Sequence, residues 1–337
     1  MKNVKVAVLG ATGFTGEKLI EILLNHPKVK VSYLSAMVEK KARFSSIFPH
    51  FKGKMELVCD NLNLKKAAEA DVIFLSLPHR VSYLYAPYFL SKGKVVIDLS
   101  ADYRLQDTNI YKDYYGEAHK DKKNLKQAVY GLPEFFKAQI KKAKLIANPG
   151  CYPTVSILSL APLLKENIIA KEDIIIDAKT GITGAGRKAA LDYHYAHLNQ
   201  NLKAYKVFGH QHLPEINQVL GQISKKKIDL QFSPHLIPME RGILITIYGK
   251  LAKKVSAKAI AAIYKKYYKD ASFVRIFDCL PSLKDVVGTN YCDIGFAISD
   301  KKIVIVGCID NLIKGASGQA VQNMNIILGW DEKLGLG

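Results

Sequence analysis

One cysteine in this sequence stands where a thiolate is chemically favoured, in Asn148-Pro149-Gly150-Cys151-Tyr152-Pro153-Thr154. Pro149-Gly150 breaks a strand, and the apolar run Val155–Leu164 predicts a helix, so Cys151 falls at or near a helix N-terminus. The dipole and unpaired N–H groups there stabilise an anion, and a thiolate is what covalent catalysis at a carbonyl requires. Such a nucleophile needs a general acid/base, most often histidine. His210-Gln211-His212-Leu213-Pro214-Glu215 offers two candidates. His212 is preferred because Glu215, three residues on, can orient it if a helix starts at Pro214; His210 stays open. A His-x-His pair also suits a metal, but no third ligand of matching spacing accompanies it, so no metal is expected.

A second chemistry is written near the N-terminus. Gly10-Ala11-Thr12-Gly13-Phe14-Thr15-Gly16 lies between an apolar strand and an amphipathic helix. Glycines there let the backbone turn tightly and approach a pyrophosphate resting on the helix N-terminus. The spacing is GxxGxxG rather than GxGxxG, so the flanking strand and helix carry the assignment. The second strand ends Tyr33-Leu34-Ser35-Ala36-Met37, with no acid before Glu39 and with Lys40, Lys41 and Arg43 following. A missing carboxylate beside cations favours a 2′-phosphate, hence NADP(H) over NAD. Three arginines could hold an anionic substrate: Arg187 at the end of Gly181-Ile182-Thr183-Gly184-Ala185-Gly186, Arg241 after Glu240, and Arg104 beyond Asp98-Leu99-Ser100-Ala101-Asp102. A structural salt bridge competes with that role for Arg187 and Arg241. Gly315-Ala316-Ser317-Gly318 opens the last helix, its small residues permitting close approach to cofactor or tight helix packing.

These groups must be positioned by two kinds of architecture. Residues 1–150 alternate short apolar strands (Val4–Leu9, Val29–Ser35, Asp71–Leu75, Val95–Leu99, Lys144–Ala147) with helices (Glu17–Asn25, Lys65–Ala70, Val81–Ser91). That pattern predicts an α/β, Rossmann-type parallel sheet with helices on both faces. Residues 102–130, rich in tyrosine and lysine without a period, read as a long surface loop. From Cys151 the strands lengthen (Asp173–Lys179, Gln231–Leu236, Gly242–Lys250, Phe273–Ile276, Tyr291–Ser299, Lys301–Asp310), with helices at Ser256–Lys269 and around Tyr193–His197. They predict a second α+β domain on a mixed sheet. A final helix is expected over Gly315–Leu328.

Composition narrows the function. Five cysteines without a CxxC pair argue against a disulfide framework or a zinc site. No apolar run is long enough for a membrane span, and no leader precedes the first strand, so a cytoplasmic protein is expected. The net charge of +19 raises nucleic-acid binding on a dinucleotide fold as an alternative, but the lysines are scattered as on solvated faces, and none is expected. A positive field also draws phosphorylated ligands.

Taken in order, the glycine loop, Leu77-Pro78-His79, Asp98 to Asp102, Gly131-Leu132-Pro133-Glu134, Asn148 to Thr154, Gly184 to Arg187, His210 to Glu215, Pro234 to Met239 and Gly315 to Asn323 closely resemble the N-acetyl-gamma-glutamyl-phosphate reductase family, relatives of aspartate-semialdehyde dehydrogenase. The resemblance runs from about residue 4 to 329. It implies an NADP-binding domain of residues 1–150 completed by 315–337, a catalytic and oligomerisation domain of residues 151–314, and a homo-oligomer. Its nucleophile falls on Cys151 and its histidine pair on His210 and His212. Cofactor contacts are then expected from Gly10, Thr12, Gly13, Phe14, Thr15, Gly16, Ser35, Lys40, Arg43, Pro78, Gly184 and Asn311. Substrate contacts are expected from Arg104, Asn148, Arg187, Glu215 and Arg241. The implied reaction is NADPH-dependent reduction of N-acetyl-gamma-glutamyl phosphate, in arginine biosynthesis; an aminoadipyl or aspartyl phosphate is the alternative. Two departures stand out: the family commonly has glycine where this chain has Arg80, and an arginine near Ala36–Met37.

Overall fold

The computed structural model describes residues 3–337. They form two compact units, one of residues up to 149 with 316–337, the other of residues 150–315.

In the first unit, strands β1 (Val4–Leu9), β2 (Val29–Ser35), β3 (Ala42–Arg43), β4 (Val58–Asp60), β5 (Val72–Leu75), β6 (Val95–Asp98), β7 (Val129–Tyr130) and β8 (Leu145–Ala147) make one sheet, ordered β3-β4-β2-β1-β5-β6-β8-β7. Every neighbouring pair is parallel except β3 with β4. Residues 6–9 of β1, and all of β5 and β6, are buried, as strands covered on both faces must be. The chain passes from β1 outward to β2, then returns to β5 on β1's other side. That reversal opens a crevice at the carboxyl ends of β1 and β5, the place where such sheets bind ligands.

Residues 102–130 are not a surface loop. Tyr103 and Tyr111 are wholly buried, and helices Thr108–Tyr115 and Lys122–Leu125 start on Asp107 and Asp121 caps. The tyrosine rings fill the core while their hydroxyls reach acids, Tyr103 on Asp121 and Tyr111 on Asp102, at 2.6 and 2.7 Å. A core built from polar-tipped rings shows no apolar period in sequence. Helix Pro133–Ile140 also escaped the sequence reading. Arg80 sits at φ 69°, the left-handed region where glycine is at ease, matching the glycine that the resembling family has there.

The second unit is a mixed sheet of β9 (Ile175–Thr180), β10 (Lys203–Ala204), β11 (Gln231–Leu236), β12 (Ile243–Lys250), β13 (Val274–Ile276), β14 (Cys292–Ser299) and β15 (Lys302–Ile309), ordered β10-β11-β9-β12-β15-β14-β13. The helix Cys151–Lys165 packs on it and is buried from Tyr152 to Leu164. A helix apolar on every side has to be central. Gly307 of β15 lets it come close, since a Cβ there would stand 2.7 Å from Ser159 Oγ. The hydroxyls of Tyr264 and Tyr268 donate to the carbonyls of Ser159 and Leu158. This helix begins at Cys151, not at Val155. Pro153 reads as a breaker in sequence but occupies the first turn, where no intrahelical N–H bond is lost.

Candidate active site

Cys151 is the first residue of its helix, directly after the Gly150 cap. Thr154 closes the first turn, its N–H and Oγ1 both donating to the Gly150 carbonyl at 2.9 Å. The other cysteines offer less. Burial pushes the Cys59 thiol up to about 11 and the Cys308 thiol up to about 12; Cys292 is buried, and Cys279 is exposed. Only Cys151 combines partial exposure with a helix start.

A second helix, His212–Ser224, packs along the first and starts two residues before the expected Pro214. The two helix starts are tied together: the N–H of Gly150 donates to Glu215 Oε1 at 2.9 Å, and the Glu215 side chain is buried. Glu215 thus reaches further than the orientation of His212 foreseen for it. The histidine segment is not extended. Gln211 has helical backbone angles, and the ring centroids of His210 and His212 are 4.8 Å apart.

Their environments separate the pair. His210 is buried among the rings of Tyr152, Tyr205 and Phe232, and its Nδ1 accepts the N–H of His212 at 3.1 Å, capping the helix. Burial, helped by the Lys206 cation, brings its ionisation down to about 3, so it is neutral near pH 7. His212 is only partly buried at the head of the helix, its ring 5.8 Å from that of Tyr152, the residue after Cys151.

The loop after β15 completes this wall. Asp310 is fully buried; its Oδ1 accepts the N–H groups of Leu312 and Ile313, and its Oδ2 accepts from Gly288 N–H and Arg241 Nη2, the latter at 2.6 Å. The Gly315 N–H donates to the Asp310 carbonyl. That fold brings Gly315 against Cys151, a Cβ on the glycine falling 2.7 Å from the cysteine Cβ. Arg241, expected at the substrate, is therefore engaged in the salt bridge that also competed for it. Asn311 accepts from Gly242 N–H at 2.7 Å and donates to Thr183 Oγ1 at 3.0 Å. Its amide ties the neighbouring loops together. Gly184 is exposed just above Thr180 and Asn311, and Arg187 is exposed beyond it.

Two expected substrate residues in the first unit serve the frame. Arg104 is buried, with Nε on the Asn148 carbonyl and Nη2 on the Leu99 carbonyl, each at 2.7 Å. The Asn148 amide donates to Ala316 O at 3.1 Å and accepts from Asn323 Nδ2 at 3.0 Å. Both side chains hold the end of β8 to its surroundings. Gly315, Asp310 and Tyr205 were the residues missed. Gly315 lay in a motif already noted for close approach; Asp310 and Tyr205 left no local signal.

The dinucleotide loop meets its test in backbone geometry. Gly10, at φ 86°, and Ala11 donate N–H groups to the Ser35 carbonyl. A Cβ on Gly10 would lie 2.0 Å from Ser76 O, just past β5, and one on Gly16 would lie 2.2 Å from Gly10 O. At Gly13, which caps helix Phe14–Leu24, a Cβ would meet nothing nearer than Gly10 O at 3.7 Å. Gly10 and Gly16 are thus required by the fold, while Gly13 leaves a cradle open at a helix N-terminus. Thr12, Phe14 and Thr15 are partly exposed around it, and Pro78 is exposed at the end of β5. Ser35 ends β2 without a carboxylate, and Lys40 and Arg43 are exposed beyond it, Arg43 facing Glu56 at 3.7 Å. These residues suit a phosphorylated dinucleotide.

A dinucleotide-type parallel sheet joined to a mixed-sheet unit with a cysteine at a helix start defines a class of semialdehyde dehydrogenase-like oxidoreductases. Residues 5–143 match the family model "Semialdehyde dehydrogenase, NAD binding domain", and residues 151–311 match "Semialdehyde dehydrogenase, dimerisation domain". The chain is 45% identical to the N-acetyl-gamma-glutamyl-phosphate reductase of Pelotomaculum thermopropionicum, over 99% of this chain and 97% of that protein. It is 47% identical to the reductase of the same name from Geotalea daltonii, over 98% and 97%. The chain belongs to the N-acetyl-gamma-glutamyl-phosphate reductase family. Its fold is also that of aspartate semialdehyde dehydrogenase with NADP from Candida albicans, with a TM-score of 0.71 at 15% identity, covering 97% of this chain and 99% of that one. No helix among the described residues is long and apolar enough to cross a membrane.

Proposed function

We infer that this chain reduces N-acetyl-gamma-glutamyl phosphate to N-acetyl-glutamate 5-semialdehyde and phosphate with NADPH, a step of arginine biosynthesis, through a thioester on Cys151. The observation that carries the reading is Cys151 at the head of a buried helix, faced by Gly315 and neighboured by the His212 helix. The printed names of the relatives favour the glutamyl substrate over its aspartyl and aminoadipyl homologues.

The helix N-terminus favours the Cys151 thiolate, which attacks the acyl carbon. The carbon–oxygen bond to phosphate breaks as the carbon–sulfur bond forms, and Arg187, a guanidinium suited to binding an anion, is the cation assigned to receive the departing phosphate. When bound, the dinucleotide supplies a hydride to the thioester carbonyl. His212 protonates the resulting oxyanion and later accepts that proton as the carbon–sulfur bond breaks and its electron pair returns to sulfur. Neutral His210 holds the His212 backbone in register. The Gly10–Gly16 loop, Ser35, Lys40 and Arg43 would hold the dinucleotide in the unit of residues 1–150 with 315–337, and the catalytic groups belong to residues 151–314. The protein is assigned to the cytoplasm and to a homo-oligomer, dimer or tetramer. Purified protein given N-acetyl-glutamate semialdehyde, phosphate and NADP should form NADPH, and Cys151→Ser should not while still binding NADPH. Turnover retained in that variant overturns the scheme.

A further inference from the structure

Asp102 is fully buried, and its carboxylate gathers donors from a segment that lies well before it in the chain. Its Oδ1 accepts the Arg80 N–H and the Tyr111 hydroxyl, each at 2.7 Å, and its Oδ2 accepts the Tyr83 N–H at 3.2 Å. Tyr83 lies in the first turn of helix Ser82–Ser91, whose own cap residue, Val81, makes no side-chain bond. A helix start needs an acceptor for its first N–H groups, and a carboxylate there also meets the positive end of the dipole. Asp102 supplies both from outside the helix.

The same carboxylate holds the backbone that most needs holding. Arg80 is at φ 69°, a region that a side chain occupies only at a cost able to shift an equilibrium about tenfold. A second bond crosses the first, the Ala101 N–H donating to His79 Nδ1 at 3.1 Å. Residues 79–80 and 101–102 are clasped, with one N–H passing each way. Asp102 is itself set by Ser100, whose Oγ accepts its N–H at 3.1 Å and donates to Asp98 Oδ2 at 2.8 Å. The arginine's own charge is felt at Glu117, whose carboxyl the Tyr83 hydroxyl, then Lys120 and Arg80, hold below the usual carboxylate range.

The clasped segment follows β5 and borders the glycine loop: a Cβ on Gly10 would lie 2.0 Å from Ser76 O and 3.4 Å from Leu77 N. We propose that Asp102 is a positioning residue for the dinucleotide. By bonding the Arg80 N–H it holds residues 77–80 in the conformation the cofactor meets, and it lets this chain carry arginine where the resembling family has glycine. This rests on the placing of NADPH at the glycine loop and Pro78 put forward above. Without that acceptor, Arg80 leaves the left-handed region, the competent turn becomes a minor state, and the apparent affinity falls by the lost fraction.

The test is fluorescence titration of NADPH into substrate-free protein, for wild type, Asp102→Ala, Arg80→Gly and the double variant. Asp102→Ala is expected to weaken NADPH about tenfold where residue 80 is arginine and by no more than about threefold where it is glycine. Under turnover, the loss should appear in the KM for NADPH and not in the KM for the acyl phosphate. A carboxylate that served stability alone would lower the denaturant midpoint and leave the affinity of the folded protein unmoved. Unchanged affinity in Asp102→Ala, or an equal loss in both backgrounds, overturns the proposal. Should Asp102→Ala misfold by circular dichroism, hydrogen exchange of the wild type decides: the Arg80 amide is expected to exchange slowly, and more slowly with NADPH bound. An amide that exchanges freely, or whose protection NADPH leaves unchanged, overturns it. A wild type that binds no NADPH overturns the cofactor reading and this proposal with it, whereas binding that ignores Asp102 overturns this proposal alone.

Discussion

Gly315 passes Cys151 so closely that a Cβ on the glycine would stand 2.7 Å from the cysteine's own Cβ and 3.2 Å from its Cα. Both partners at that contact are fixed, the cysteine by its helix start and the glycine by its bond to Asp310. Gly315→Ala must therefore move one of them. A displacement of about 1 Å at a reacting group costs on the order of a hundredfold in rate. Overpacking costs about 1–3 kcal/mol in stability. Steady-state kcat and a denaturant midpoint read the two effects; an alanine variant with wild-type kcat would show that the contact does not position the thiol.

The Asp310–Arg241 pair supports the same loop and makes a separate prediction. Asp310 is fully buried and the Arg241 side chain is 15% exposed. Removing one member of a buried pair costs about 3–5 kcal/mol. Arg241→Ala should lower the denaturant midpoint and kcat together. A rise in KM at unchanged stability would instead assign Arg241 to the substrate.

The two histidines should part company in pH experiments. Burial lowers the folded-state ionisation of His210 to about 3, from about 6.5 when unfolded. Between those values the unfolded chain binds the extra proton, so this group's contribution to stability is complete above about pH 6.5 and is lost as pH falls toward 3, at up to about 1.4 kcal/mol per pH unit. His210→Asn should flatten the acid limb of stability against pH, relative to wild type, and leave the pH profile of kcat in place. His212→Asn should lower kcat by about 10²–10⁴. Reversed effects on kcat would exchange their roles.

Much of this was legible in the sequence because it is local. Glycines at 10, 13 and 16, a strand ending at Ser35 without an acid, and a cysteine after Pro-Gly each state their geometry within a few residues. What stayed hidden depends on distant partners. The carbonyl and amide partners of Arg104 and Asn148, at 99, 316 and 323, are set by the fold and left no mark in the local sequence. The buried tyrosines of residues 102–130 carried no period, and Pro153 disguised the helix start it occupies.

Cofactor selection is testable at β2's end. With Ser35 in place of an acid, Lys40, Lys41 and Arg43 are exposed cations that follow β2 in the chain. Hydrogen bonds to charged groups contribute about 1.5–3 kcal/mol, so Lys40→Ala/Arg43→Ala should weaken NADPH by about tenfold or more and leave NADH unchanged. Equal losses for both dinucleotides, measured by fluorescence titration, would place the 2′-phosphate elsewhere.

The central claim is a covalent intermediate on Cys151, and the direct measurement is intact-protein mass spectrometry with peptide mapping. Protein mixed with N-acetyl-gamma-glutamyl phosphate, NADPH withheld, should gain one N-acetylglutamyl group on Cys151, and added NADPH should discharge it as the aldehyde. An unmodified Cys151 under turnover-competent conditions, or an acyl group on any other residue, would contradict the account.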